Sequence, residues 1–301
     1  MRDGYRHEAL AYAGPDGFIA SCTALAREGL DRDERLIVLA EAGKVDAVRD
    51  ELGPAAGDVS FVAMDEHGRN PNRVTAMLDA FHSAADGRYC LGINESVFAR
   101  RPLAALREAH LAEAVLNAEA LQDWRMALVC LYDTAELDPT SLTEMRRTHP
   151  VIAGEPDNPH FEPELAESLF ARPLDPPPPG AAALEVGPGG LAAMRGYVRT
   201  EAGGLPADRV DDLVLAANEI ATNSLQHGGG HCRVTMWRAD DAVVCEVRDR
   251  GRIRDPLLGR LAPPPTASSG RGLWLANHLC DLVQIRSSDA GTVVRLSIDG
   301  P

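Results

Sequence analysis

The sequence lacks any long uninterrupted apolar run. No stretch of about twenty apolar residues occurs in its 301 residues, which argues against a membrane-spanning helix. The first ten residues have neither an apolar core nor a small-residue cleavage site, so we expect no secretory signal there. These absences predict a cytoplasmic protein without a membrane partner.

Paired cysteines are also missing. No C-x-x-C motif occurs, and the six cysteines are spread along the chain as Cys22, Cys90, Cys130, Cys232, Cys245 and Cys280. The spacing fits neither a usual metal-binding motif nor a disulfide framework. We therefore expect buried thiols in a reducing compartment, with redox sensing at Cys22 or Cys130 as the alternative.

Basic residues are in deficit. The chain has 30 Lys and Arg against 45 Asp and Glu, a formal net charge of -15. Nucleic-acid binding needs a concentrated basic surface, so direct nucleic-acid contact is not expected. An acidic surface usually serves solubility and is compatible with a basic protein partner. The content of 45% hydrophobic and 25% charged residues predicts a soluble globular protein long enough for two domains.

A proline-rich segment divides the chain. Residues 176–179 are four consecutive prolines, which exclude a helix or an internal strand and favour an extended spacer. We predict a first domain over residues 1–169, a linker over 170–185 and a second domain over 186–301.

The two parts differ in their pattern of elements. Upstream, short apolar runs at 36–39, 59–62, 89–92 and 127–132 alternate with helical patterns at 20–30, 45–52, 73–82 and 107–124. This alternation predicts an α/β domain with a parallel sheet. Downstream, helical patterns at 190–202, from about 207, and at 273–280 accompany strand patterns at 232–238, 243–249, 282–286 and 292–298. That order predicts an α+β sandwich with helices on one face of a mixed or antiparallel sheet.

The most specific pattern begins in the second of those downstream helices. Glu219 and Asn223 are four residues apart and therefore lie on one side of a helix. A carboxylate beside a carboxamide supplies the oxygen ligands that suit hydrated Mg²⁺ on a triphosphate. His227 then ends the helix toward the expected phosphates.

Three further motifs follow in order. Asp249 ends a strand pattern and could accept a hydrogen bond from an adenine amino group, while Gly251 allows close approach of the base. Gly270 and Gly272 precede or open a helix, where backbone N–H groups and the helix dipole favour an anion. Thr292 follows a turn glycine and could reach the base through water. Each motif alone is weak, but their joint order is specific.

Residues 184–301 resemble the GHKL ATPases, in the branch of anti-sigma factors with protein-serine kinase activity (RsbW-like). The resemblance implies a Bergerat sandwich that binds ATP and Mg²⁺, with the metal on Asn223, a catalytic base at Glu219 and adenine at Asp249 and Gly251. It also implies a base contact at Thr292 and an ATP lid over residues 252–268. The expected phosphate-binding group comprises Gly270, Arg271, Gly272 and the neighbouring His227.

The resemblance further implies two partners, a sigma factor and an anti-sigma antagonist phosphorylated on serine or threonine. One alternative is a non-catalytic protein that sequesters a sigma factor in an ATP-dependent way. Another is a histidine kinase, for which His110 is the one histidine on a plausible helix. Homodimerisation is left open.

Residues 5–155 resemble the MEDS (DcmR-like) sensory domain, which is related to RecA/KaiC-like ATPases. Matching stretches include 7–12, 18–30, 64–73 and 131–133. No lysine of a G-K-[ST] motif occurs at 14–21, so we expect no ATP hydrolysis by this half. A small ligand or a partner is the expected signal, and the polar residues to inspect for a pocket are His7, Tyr12, Cys130, Tyr132, Asp133 and His149.

Overall fold

Two separately packed units make up the chain. The computed structural model describes residues 4–239, 241–263 and 270–300. Contacts within the chain separate Met1–Ala166 from Glu167–Pro301. This division lies close to the predicted end of the first domain, within a helix rather than in the proline run.

The N-terminal unit is a parallel sheet with alternating helices. Its strands are β1 (Arg6–Tyr12), β2 (Arg35–Ala40), β3 (Val59–Ala63), β4 (Cys90–Asn94), β5 (Met126–Asp133) and β6 (Val151–Ile152). Its helices are α1 (Gly14–Asp31), α2 (Ala42–Leu52), α3 (Arg73–Ser83), α4 (Leu103–Val115) and α5 (Pro139–Thr148). All pairings in the order β3-β2-β4-β5-β1-β6 are parallel, which confirms the predicted α/β class.

The central strands are apolar throughout because helices cover both faces of such a sheet. All eight residues of β5 are buried, as are five of the six in β2. Side chains of α1 and α2, among them Phe18, Cys22 and Val48, complete one core with Leu36 and Leu91. Continuous apolar runs therefore predicted these strands correctly.

The helix predicted over residues 107–124 was wrong in both bounds. Helix α4 ends at Val115, and only a short 3-10 turn, Glu119–Leu121, follows. The Asn117 side-chain amide donates to the carbonyls of Ala114 and, at 2.7 Å, of Thr148. A side chain that bonds to terminal carbonyls ends a helix despite the Ala- and Leu-rich residues beyond it.

The C-terminal unit is an antiparallel sheet with helices. It follows α6 (Leu165–Ala171), in which the division falls, and contains α7 (Leu191–Glu201), α8 (Ala207–His227) and α9 (Arg271–Leu279). The strands are β7 (Ala182–Val186), β8 (Cys232–Ala239), β9 (Ala242–Asp249), β10 (Leu282–Ser288) and β11 (Gly291–Asp299). Their order is β10-β11-β9-β8-β7, with antiparallel pairing throughout. The predicted α+β sandwich is confirmed, and β7 begins inside the segment predicted as linker.

The cysteines are all buried in the fold. Burial raises the pKa of Cys90 to about 11 and that of Cys22 to about 12. Buried thiols with a raised pKa react poorly with oxidants, which disfavours redox sensing at Cys22.

In the described part of the chain, every helix is too short or too polar to span a membrane.

A buried ion pair lies at the carboxyl edge of the parallel sheet. Lys44 Nζ of α2 donates to Glu95 Oε1 at 2.6 Å and to Tyr12 Oη at 2.9 Å. Tyr12 Oη also donates to Glu95, whose side chain is almost completely buried. Burial raises the pKa of Glu95 to about 7, although the Lys44 ammonium lowers it.

Glu95 should make the stability of this unit depend on pH. The pKa of Glu95 is about 4.5 in the unfolded chain and about 7 in the folded protein. Between these two pH values the folded protein keeps the Glu95 proton, whereas the unfolded chain has lost it. The stability that Glu95 contributes is thus largest below about pH 4.5 and is lost as pH rises through about 7. Relative to Glu95→Gln, the wild type should lose about 2.5 kcal/mol of unfolding free energy from pH 5 to pH 8.

Urea unfolding at the two pH values measures this difference. Glu51→Gln is the matched control, because the Glu51 carboxylate is half exposed and pairs with Arg27 on the surface. Equal pH dependence of wild type and Glu95→Gln would contradict the assignment.

Candidate nucleotide site

One cavity of about 690 Å³ lies in the C-terminal unit. It is bounded by the second half of α8, the end of β9, the start of α9 and the start of β11. The nine residues predicted as site residues all line it: Glu219, Asn223, His227, Asp249, Gly251, Gly270, Arg271, Gly272 and Thr292. The structure thus brings together four motifs that are spread over about 75 residues of sequence.

Helix α8 presents two different faces, as its spacing predicted. Leu213, Ala217 and Ile220 are buried on its apolar face. Glu219 and Asn223 are partly exposed and line the cavity. The four-residue spacing therefore holds a carboxylate and a carboxamide on the cavity side.

Asp249 is held from both of its carboxylate oxygens. Ser224 Oγ donates to Oδ2 at 2.5 Å, and the backbone N–H of Gly251 donates to Oδ1 at 2.7 Å. Each oxygen has a second lone pair, so the carboxylate can still accept from a ligand. Two donors from different segments give it a single orientation.

The glycine after α8 lets the helix end approach Asp249. A Cβ on Gly228 would lie 2.4 Å from Cγ of Asp249, which is far inside van der Waals contact. The Gly228 carbonyl also accepts from the Arg250 N–H at 3.2 Å. Only glycine therefore permits this contact between the end of α8 and the end of β9.

The start of α9 packs against the polar face of α8. Gly270 is the N-cap in left-handed backbone, φ +87°, and Gly272 is buried. A Cβ on Gly272 would lie 3.0 Å from Nδ2 of Asn223 and 3.2 Å from Oε2 of Glu219. The first turn of α9 therefore adjoins Glu219 and Asn223, and a helix start of this kind favours anions.

Thr292 lies opposite Asp249 in the β9–β11 ladder. Its hydroxyl donates to the Gly251 carbonyl at 2.9 Å and is 2.8 Å from Ser287 Oγ. The Ser287 hydroxyl accepts from the Ile253 N–H at 2.9 Å. The two hydroxyls thus position the segment after Asp249 as it leaves the sheet.

The segment predicted as a lid has an irregular conformation in its described part, 252–263, and residues 264–268 lie outside the described residues, as does Ser269. Its middle is anchored on α9, where Asn277 Nδ2 donates to the Gly259 carbonyl at 2.9 Å. A Cβ on Gly259 would lie 2.6 Å from Cβ of Leu273. Leu258 is 41% exposed and lines the cavity, so this segment presents an apolar side chain to the cavity.

Several lining residues were not predicted as site residues. Ser224 donates to Asp249, and a serine among the apolar residues of α8 was the available signal. Arg252 and Arg254 add positive charge to the cavity wall, and Arg252 pairs with Asp289. No sequence motif marks these arginines, because irregular segments have no periodicity.

The polar residues singled out in the N-terminal unit fall into two groups. Tyr12 belongs to the Lys44–Glu95 pair, and Asp133 accepts from the Gly14 N–H at 3.0 Å. His7, Cys130 and His149 lie together with Glu113, which sequence reasoning missed, and Tyr132 packs edge-on against His149.

Comparison with known proteins assigns both units. Residues 185–298 match the family described as the Histidine kinase-like ATPase domain. Residues 6–150 match the MEDS family, the MEthanogen/methylotroph, DcmR Sensory domain. No curated protein is significantly similar to the chain.

Among solved structures, the crystal structure of the RsbU and RsbW domains of Rv1364c from Mycobacterium tuberculosis is similar over part of the chain. The match has 21% sequence identity and a TM-score of 0.30, and it covers 40% of this chain and 32% of that one. The two family matches agree with the folds of the two units. The chain therefore joins an N-terminal MEDS domain to a C-terminal ATPase domain of the GHKL, histidine kinase-like type.

Proposed function

We propose that the C-terminal domain binds Mg·ATP in this cavity and transfers the γ-phosphoryl group to a serine or threonine of an anti-sigma antagonist. A sigma factor held inactive would be the second partner. The observation that carries the proposal is the shared cavity, which is lined by Glu219, Asn223, the start of α9 and the doubly anchored Asp249.

The residues present suit the nucleotide and its metal. Asn223 offers an oxygen ligand beside a helix start, which Mg²⁺ accepts together with water and phosphate oxygens, and the Glu219 carboxylate lies one turn away on the same helix. Bound Mg²⁺ would neutralise charge on the triphosphate. Asp249 would accept a hydrogen bond from the adenine amino group, with Thr292 and Gly251 beside it.

Transfer depends on positioning and on charge neutralisation. Glu219 would orient or deprotonate the incoming hydroxyl. Arg271 and the N–H groups at the start of α9 would offset negative charge that develops on the phosphoryl group. Gly270 and Gly272 would leave room for that group to approach the backbone, and His227 would border it from the end of α8.

The N-terminal domain is proposed to sense a ligand or partner and to bias the ATPase domain, since both domain types occur in one chain. Two alternatives remain for the C-terminal domain. A non-catalytic protein would sequester a sigma factor with ATP bound and transfer nothing. A histidine kinase would use His110, but this residue lies on α4 of the parallel-sheet unit and its Nε2 atom is buried.

The first prediction concerns magnesium. Asn223→Ala removes a proposed oxygen ligand, and loss of one such charge-assisted contact should raise the Kd of Mg·ATP about tenfold or more. Isothermal titration with and without Mg²⁺ measures the effect. Asn218→Ala is the control, because Asn218 bonds to Arg195 outside the cavity. Unchanged Mg²⁺ dependence in Asn223→Ala would contradict the metal role.

The second prediction separates a kinase from a sequestering protein. With labelled ATP, Mg²⁺ and a candidate antagonist, wild type should transfer label, and Glu219→Gln should reduce the rate about 100-fold or more while ATP still binds. Glu201→Gln on exposed α7 surface is the control. ATP binding without transfer by wild type would favour sequestration, and acid-labile label on the protein itself would favour a histidine kinase.

The third prediction tests the adenine side. Gly228→Ala places a methyl group against Asp249 and should displace the carboxylate, so ATP affinity should fall about tenfold or more. Gly196→Ala is the matched control, because a Cβ there meets nothing within 4 Å. Equal ATP affinity for both variants would refute the role given to Asp249.

A further inference from the structure

Four potential metal ligands meet inside the MEDS domain. Nε2 of His7, Oε2 of Glu113, Sγ of Cys130 and a ring nitrogen of His149 all lie within 4.8 Å of one another. Oε2 of Glu113 is 3.3 Å from Nε2 of His7, 3.0 Å from Sγ of Cys130 and 3.5 Å from Nε2 of His149. Sγ of Cys130 is 3.4 Å from Nε2 of His7.

The four side chains come from four different elements. His7 lies on β1 and Cys130 on the neighbouring strand β5, Glu113 lies on α4, and His149 directly follows α5. The side chains of His7, Glu113 and His149 are at most 1% exposed, and Cys130 is fully buried. Because the four residues are far apart in the sequence, no short motif marked the cluster.

The tautomer of His7 follows from its neighbours. Asn117 Nδ2 donates to the carbonyls of Thr148 and Ala114, so Asn117 Oδ1 is the atom that faces His7. That oxygen is 3.0 Å from Nδ1 of His7 and can only accept. In the metal-binding, neutral form of the ring, Nδ1 therefore carries the proton and the Nε2 lone pair points into the cluster.

His149 is oriented in the same way. Its Nδ1 lies 2.9 Å from the Met145 carbonyl, an acceptor, which assigns the proton to Nδ1. Its Nε2 has no hydrogen-bond partner of good geometry among the described residues.

One carboxylate oxygen of Glu113 is hydrogen-bonded to residues outside the cluster. Its Oε1 accepts from Asn94 Nδ2 at 2.9 Å and from the Ser96 hydroxyl. Its Oε2 is left to face both histidine nitrogens and the thiol. Three acceptor atoms thus surround one thiol hydrogen, and such a buried arrangement needs a cation or additional protons between the acceptors.

We propose that His7, Glu113, Cys130 and His149 bind one divalent transition-metal ion, with zinc as the ion that their chemistry suits best. Tetrahedral Zn²⁺ takes nitrogen, oxygen and thiolate ligands at about 2.0–2.3 Å, which separates the ligand atoms by about 3.3–3.8 Å. Four of the six separations between the ligand atoms are 3.0–3.5 Å, close to that range, and all six are within 4.8 Å.

The surroundings also resemble a metal site. Both histidines donate their second nitrogen to an oxygen acceptor, the arrangement that orients metal-bound imidazole. Asn94 Nδ2 lies 3.5 Å from Sγ of Cys130 and can donate to a thiolate there. With four protein ligands the site is closed, so the ion would join β1, β5, α4 and the end of α5 rather than perform catalysis.

The test uses the full chain, stripped with a chelator and then titrated with Zn²⁺ or Co²⁺. We expect one equivalent of zinc to be retained after desalting and to raise the melting temperature of wild type. Co²⁺ should give the intense visible bands of a tetrahedral site together with a thiolate-to-cobalt charge-transfer band. That band reports on Cys130 independently of any magnesium in the ATPase domain.

Variants assign the ligands. Cys130→Ala should lose the charge-transfer band, and Asn117→Ala should weaken metal affinity about 10–100-fold by releasing His7. Cys22→Ala is the control, because Cys22 is a buried thiol of the same domain outside the cluster, and it should keep the band. Folded wild type that retains no stoichiometric zinc, or a band that persists in Cys130→Ala, would overturn the proposal. If folded wild type retains no zinc, additional protons rather than a metal ion would lie between the acceptor atoms of the cluster.

Discussion

The Asp249 carboxylate joins the end of α8 to the end of β9, and the shape of the C-terminal cavity follows from that junction. Ser224 and the Gly251 N–H hold its two oxygens, and Gly228 allows the helix end to come close. Each oxygen of this partly buried carboxylate has a donor from a different segment, so the junction has one geometry. The same helix then directs Glu219 and Asn223 into the cavity at a set distance from Asp249.

The MEDS domain satisfies its buried charges in a different way. At the carboxyl edge of its sheet, where α/β folds usually bind ligands, Lys44 pairs with the Glu95 carboxyl group and donates to the Tyr12 hydroxyl. No lysine occurs at 14–21, and α1 begins there at Gly14 with its N–H bonded to Asp133. On the other side of β1 and β5, His7, Glu113, Cys130 and His149 form a second polar centre that we assign to a metal.

Local patterns predicted much of both folds. Continuous apolar runs marked β2, β4 and β5 because these strands are buried almost throughout, and they marked the edge strand β3 as well. The four-residue spacing of Glu219 and Asn223 placed both on one side of α8. Elements defined by tertiary contacts were missed or misjudged. Strand β1 carries His7 and Glu8 among its apolar residues, and α4 ends where Asn117 bonds to the Thr148 carbonyl 31 residues away.

The sequence alone determined the identity and order of the nucleotide-site motifs, because each lies within a few residues of chain on one helix, strand end or turn. Only the tertiary structure decided which side chains meet. Ser224 reaches Asp249 across 25 residues, and Glu113 gathers His7, Cys130 and His149 from three other elements. Spacing along a chain reports neighbours on one element, whereas contacts between elements depend on how the helices and strands pack.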